Sequence, residues 1–126
     1  MRTSLTFDTG ALIGLERRRP HLRRLHQIAL LEGVPIVVPS VVLAEWWRRG
    51  KREKERAQLL RTLVVEPLSA HVARLAGTAV GIVGAGVADA IVMASASVRG
   101  GLVYTSDPDD LEKLTDVFGD VHVVAV

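Results

Sequence analysis

Apolar residues in this chain fall into two alternating patterns: short unbroken runs, and longer stretches with a helical repeat. The runs SLTF, PIVVP, LVVEP, GLVYTS and VHVVAV have strand length and are bounded by Gly, Pro, Ser or an acid. Between them the spacing predicts helices. One runs from Thr9 to about Arg18, and a second restarts at Pro20 with Leu22, Leu25, Ile28, Ala29 and Leu31 on one face, stopping near Gly33. Ser40 is placed to N-cap VVLAEWWRR, with Gly50 as its stop or bend, and the charged KREKERAQLLRTL follows as a further helix. Ser69 opens a helix to about Val83, GAG makes a turn into VADAIVMASASV, and DPDDLEKLTDVF forms the last helix. Strands that alternate with helices and are apolar throughout, rather than at every second position, predict an α/β fold. The expected architecture is a single central parallel sheet flanked by helices on both faces. Repeats, linkers and low-complexity segments are not apparent.

The length of 126 residues suits one compact domain with a real core, and 48% hydrophobic against 24% charged residues argues against disorder. The absence of cysteine excludes disulfides and thiolate metal sites and fits a reducing, cytoplasmic setting. Residues 1–16 lack the order of basic flank, apolar stretch and cleavage site that marks a secretory leader. Residues 75–98 are long enough to span a bilayer, but four glycines divide them and Asp89 is charged near their centre, so two buried helices are expected and no membrane partner. The net charge of +2 hides an asymmetry: residues 1–61 have 13 Lys/Arg against 6 Asp/Glu, and residues 62–126 have 3 against 8. A basic half can attract phosphates and an acidic half can hold cations, although both can also be solvated helix faces.

Four acids stand in unusual company. Asp8 ends the first strand, where open α/β sheets bind ligands, and it is also a good N-cap. Glu45 sits among apolar residues little more than a turn into a helix, within reach of Arg48 or Arg49. Asp89 has Ala85, Gly86, Val92 and Met93 as its helical neighbours, none of them charged. Such a carboxylate is costly unless paired, protonated or metal-bound, or favoured by a helix N-terminus. Asp107 begins DPDD, a strong helix start in its own right, with Asp110 one turn on. In a parallel sheet these four positions converge on one edge. Carboxylates gathered there repel one another unless a hard divalent cation, Mg²⁺ or Mn²⁺, joins them.

The four segments together resemble the PIN-domain ribonucleases, in particular VapC-type toxins of toxin–antitoxin pairs, over essentially the whole chain. FDTGALIGL is similar to the family's first motif, PSVVLAEWWRRG to the second, VADAIVMASA to the third and LVYTSDPDDL to the fourth. The resemblance implies a five-stranded parallel sheet in one nuclease domain spanning residues 1–126. It implies that Asp8, Glu45, Asp89 and Asp107 are the catalytic, metal-binding acids, with Asp110 a candidate fifth. Thr105 would hold a carboxylate by a hydrogen bond. It further implies an RNA substrate, an antitoxin that inhibits by lying across the toxin, and a homodimer. The apolar first and second helices could supply the antitoxin's groove, and one of Trp46 and Trp47, about 100° apart on a helix, could serve a protein contact.

The chemistry so implied is metal-assisted hydrolysis of an RNA phosphodiester. The four histidines, His21, His26, His71 and His122, show no ligand pattern. Arginines 17, 18, 19, 23 and 24 could guide the RNA backbone, whereas the group from Arg48 to Arg56, mixed with Glu53 and Glu55, reads as solvated helix surface. Two rivals remain. A phosphotransferase of the haloacid-dehalogenase type would also start from a strand-terminal Asp and Mg²⁺, but it wants a second Asp at position 10, which is Gly. A non-enzymatic α/β module would use the acids only as caps and ion-pair partners.

Overall fold

The computed structural model describes residues 4–48 and 52–126. Five strands, β1 (Leu5–Phe7), β2 (Ile36–Pro39), β3 (Val64–Glu66), β4 (Leu102–Thr105) and β5 (His122–Ala125), form one sheet in the order β3-β2-β1-β4-β5. All four pairings are parallel, as the unbroken apolar runs predict. The order places β1 at the centre. Its register pairs Phe7 with Tyr104 on one side and Thr6 with Val37 on the other.

The helices are α1 (Thr9–Glu16), α2 (Pro20–Glu32), α3 (Ser40–Trp46), α4 (Glu53–Leu60), α5 (Ala70–Val83), α6 (Val87–Arg99) and α7 (Pro108–Glu112). Helix α6 is the most deeply set, with every residue from Ala90 to Ala96 buried. The core joins it to Phe7, Leu12, Leu22, Trp46, Val103, Leu111 and Leu114. Residues 75–98 are two helices broken at Gly84, which takes a left-handed conformation (φ 70°), and no helix among the described residues is long and apolar enough to cross a membrane.

Several expected boundaries move. Ser40 does not cap α3: the strand residue Pro39 occupies the N-cap position, so the helix begins directly from the sheet without a side-chain cap. The same helix ends at Trp46, where Trp47 turns extended, and Arg49 and Gly50 lie outside the described residues. The last helix is α7 followed by a 3₁₀ turn at Lys113–Asp116. Helix α2 buries Leu22 and Ala29 from its expected stripe but leaves Ile28 (49% exposed) and Leu31 (87%) in solvent. The Arg48–Arg56 group is not merely solvated surface either. Arg56 donates from Nε and Nη2 to the Glu16 carboxylate and from Nη1 to the carbonyls of Trp46 and Arg48, and its guanidinium lies 5.4 Å from the Trp46 ring centroid.

A second polar knot ties the end of α6 to β1 and β3. Arg99, at the end of α6, pairs with Glu66 on β3 and also donates to Ser95, Thr6 and Ser4. Ser95 in turn donates to Glu66. One guanidinium thereby satisfies the buried hydroxyls of Ser4 and Thr6, groups that would otherwise be desolvated without partners.

Candidate functional site

The carboxyl ends of β1, β2 and β4 and the start of α6 enclose a cavity of ≈170 Å³. Its walls include Asp8, Thr9, Gly10, Val42, Glu45, Asp89 and Asp107, so all four acids expected to converge do so. Each arrives by a short local route. The Asp8 amide donates to the Tyr104 carbonyl (3.1 Å), which ends β1 beside β4 and turns the next residue out of the sheet. Glu45 lies in α3, which leaves β2 with no intervening loop. Asp89 is in the first turn of α6, and Asp107 stands at the N-cap position of α7.

Asp8 has two roles at once. Its Oδ1 accepts from the Ala11 amide (2.8 Å), the capping bond, and its carboxylate also accepts from the Thr105 hydroxyl. The same Thr105 Oγ1 accepts from the Asp107 amide (2.9 Å). A fully buried threonine therefore ties the end of β1 to the start of the fourth acidic segment, a use of one hydroxyl as donor and acceptor together. Among the described residues no arginine pairs with the Glu45 carboxylate. Thr9 donates to Glu45 Oε1 (2.7 Å), while Arg48 Nε donates to the Glu45 backbone carbonyl (3.0 Å). Asp107 makes no capping bond with its side chain. The sequence gives no signal for Thr9, because a threonine after a strand-ending Asp has an ordinary local explanation and its partner is 36 residues away.

The electrostatics are those of gathered like charges. Burial pushes Asp8 above the ordinary carboxylate range, opposed by the bonds from Thr105 and Ala11 and reinforced by the charges of Asp107 and Glu45. Burial also raises Asp89, and Asp110 is the largest neighbouring charge acting on it, followed by Asp8, Glu45 and Asp107. Asp110 thus stands beside Asp89 electrostatically but is not among the cavity's walls. The donor set is all oxygen and anionic, which suits a hard divalent cation. Among the described residues no three of these groups are already drawn into a preformed metal cage. The site is a ring of donors and not a finished coordination shell.

Gly10 and Ser106 interlock at the rim. A Cβ built on Gly10 would stand 1.8 Å from Ser106 Oγ and 2.8 Å from its Cβ. Any side chain at position 10 would force Ser106 to move, so the second aspartate of a haloacid-dehalogenase site has no room in this packing. The histidines stay outside the site: His21, His71 and His122 are exposed, and His26 shares a hydrogen bond with the Thr62 hydroxyl.

The fold has parallels in known structures. The chain is similar to a toxin–antitoxin complex from Klebsiella pneumoniae (TM-score 0.69, 19% identity, 94% of this chain and 95% of that one). It is also similar to VapBC2 from Rickettsia felis bound to a promoter DNA fragment (TM-score 0.78, 13% identity, 98% and 99%). A third likeness is to DNA-bound VapBC from Salmonella typhimurium (TM-score 0.75, 14% identity, 98% and 98%). No curated protein sequence matches the chain significantly. Residues 5–117, which contain all five acids and four of the five strands, match the PIN domain family, and the chain belongs to that family.

Proposed function

We propose that this chain is the toxin of a toxin–antitoxin pair, an endoribonuclease acting as one domain of 126 residues. Asp8, Glu45, Asp89 and Asp107 would hold Mg²⁺ or Mn²⁺ against an RNA phosphodiester, with Asp110 adding charge beside Asp89. The observation that carries this reading is the convergence of four acids from separate elements on one cavity, two of them pushed towards protonation by burial and mutual repulsion. A purely structural set of caps would have no reason to share a pocket.

A bound divalent cation supplies charge neutralisation at the phosphate and a more acidic water. The protein's own groups do the rest. Thr105 and the Ala11 amide fix the Asp8 carboxylate from below. Thr9 fixes Glu45 from the facing helix, so α1 and α3 are clamped at the mouth of the site. The α6 N-terminus places Asp89 where the helix dipole tempers its charge.

The similar structures named for toxin–antitoxin and VapBC complexes support a protein inhibitor as partner. An apolar groove suited to an amphipathic segment lies between α3 and α4, walled by Leu43, Ala44, Trp47 and Leu60. This is the next pair of helices along the chain, not the first two suggested by the sequence. Trp47 is exposed there, while Trp46 is buried in the core. For the homodimer, exposed Ile82 and Val87 at the α5–α6 corner supply apolar surface of the kind that pairs of subunits cover.

The test is to sequence RNA ends after brief induction of the wild type and of Asp8→Asn in cells, paired with cleavage by purified protein before and after EDTA. New RNA ends that need both Asp8 and a divalent cation support the reading. Cleavage unaffected by EDTA refutes the metal role, and no cleavage or toxicity from the wild type leaves the non-enzymatic module as the better account.

A further inference from the structure

A second cleft, ≈320 Å³, opens between the α1–α2 corner and α4. One wall is the ion pair of Arg56 with Glu16, which is internally neutral and anchored to α3 through the Trp46 carbonyl. It shapes the cleft without drawing an ion into it. Arg18 and Arg23, also lining the cleft, are different. Both are exposed, and neither guanidinium has a hydrogen-bond or ion-pair partner among the described residues.

Arg18 is held there against its backbone preference. It closes α1 in the left-handed conformation (φ 59°), the one non-glycine residue with positive φ among the described residues. Helices α2, α5 and α6 end in that conformation on Gly33, Gly84 and Gly100, as sterics favour. At the corresponding position of α1 the chain has a guanidinium directed at a cleft. Across from it stand the half-buried ring of His26 and the carboxylate of Glu55, which opposes an anion and sets the sign of a test.

The cleft and the acid pocket share their framework. Asp8 caps one end of α1 and Arg18 lies just past the other, about 15 Å away along an eight-residue helix. Glu45 lines the acid pocket, and the next residue on α3, Trp46, accepts at its carbonyl from Arg56 in the cleft wall. We propose that this cleft is a backbone-phosphate subsite for single-stranded RNA, in which Arg18 and Arg23 grip a phosphate about four nucleotides from the bond cut at the acid pocket, taking 3.4 Å per stacked nucleotide. The proposal rests on the nuclease reading and gives it a direction: the strand runs along α1.

The experiment measures binding of a fluorescently labelled oligouridylate to the full chain in EDTA, where cleavage is suppressed, across a series of salt concentrations. Arg18→Gly and Arg23→Gln each weaken binding by about tenfold, and together they lower the salt slope by about 0.7, the loss of one phosphate contact. Glu55→Gln strengthens binding. Arg18→Gly relieves the strained backbone, so its thermal midpoint stays at or above that of the wild type and its weaker binding cannot be ascribed to unfolding. Binding unchanged in the arginine variants, with the wild type still cutting RNA, overturns the subsite and leaves the nuclease reading standing. Unchanged RNA binding with loss of a co-expressed protein inhibitor assigns the cleft to that protein and overturns it too. A wild type that neither binds nor cuts RNA removes both.

Discussion

Gly10→Ala is a small change with a calculable conflict. Position 10 is the second residue of α1, where alanine in place of glycine would by itself favour the helix by up to about 1 kcal/mol. Against that, the added methyl meets Ser106 Oγ at 1.8 Å and Ser106 Cβ at 2.8 Å. Rotation of the serine side chain can remove the first clash. It cannot remove the second, because Cβ moves only with the backbone. Overpacking of this kind costs about 1–3 kcal/mol, so the net effect is a loss of roughly 0–2 kcal/mol. The midpoint then falls by up to about 10 °C. The larger consequence is positional. Ser106 lies between Thr105 and Asp107, so the turn that yields carries Asp107 and the Thr105–Asp8 bond with it. Cleavage of RNA by Gly10→Ala should drop by about a hundredfold, as misplacement of a site by an ångström does. Ser106→Gly in the same chain deletes both clashing atoms and leaves only the Ser106 amide nitrogen, at 3.5 Å, in ordinary contact. The double variant should recover most of the activity. Full activity in Gly10→Ala, or no recovery in the double variant, would refute the claim that this contact sets the geometry of the site.

Other outcomes follow from the same contacts. Asp8→Asn keeps an acceptor for the Ala11 amide and the Thr105 hydroxyl but removes a desolvated charge. It should abolish RNA cleavage and raise the melting midpoint of metal-free protein, and a lower midpoint would contradict the repulsion argument. Asp8 and Asp89 both have raised native pKa values, so their protonation favours folding. That contribution is complete below their unfolded value of 3.8 and fades as pH rises through the raised native values. Melts in EDTA should therefore show this part of the stability declining from acid to neutral pH, with the decline reduced in Asp8→Asn. Thr9→Val frees Glu45 and should weaken apparent Mn²⁺ affinity by about tenfold in calorimetry, while stability changes by only about 1 kcal/mol. Arg99→Met removes the cationic partner of Glu66 and strands the buried Thr6 hydroxyl. Urea denaturation should register a loss of about 3 kcal/mol, the low end for a broken buried pair because both partners keep some exposure.

The elements were legible because local chemistry and tertiary need agree in them. Unbroken apolar runs belong to a sheet covered on both faces, and Ser69 does cap α5, donating no proton of its own but accepting from the Val72 amide. Where a feature depends on what covers it, the pattern is silent. The stripe on α2 is helical in period, yet no neighbouring element covers Ile28 or Leu31. The Arg56–Glu16 and Arg99–Glu66 pairs join residues 40 and 33 positions apart, so charge spacing along one helix could not reveal them. Asp8 shows a subtler limit. From the sequence its cap and its place in a cavity compete as explanations, but a carboxylate has enough lone pairs for both, and the capping bond is what aims the group. The convergence of the acids rests in the end on register. Phe7 pairs with Tyr104, so Asp8 leaves the sheet level with Thr105. Pro39 pairs with Glu66 as the last residue of β2, so α3 springs from that same edge. A one-residue slip in either pairing would turn Asp8 away from Thr105 or carry Glu45 round its helix, and the remaining acids would be solitary caps.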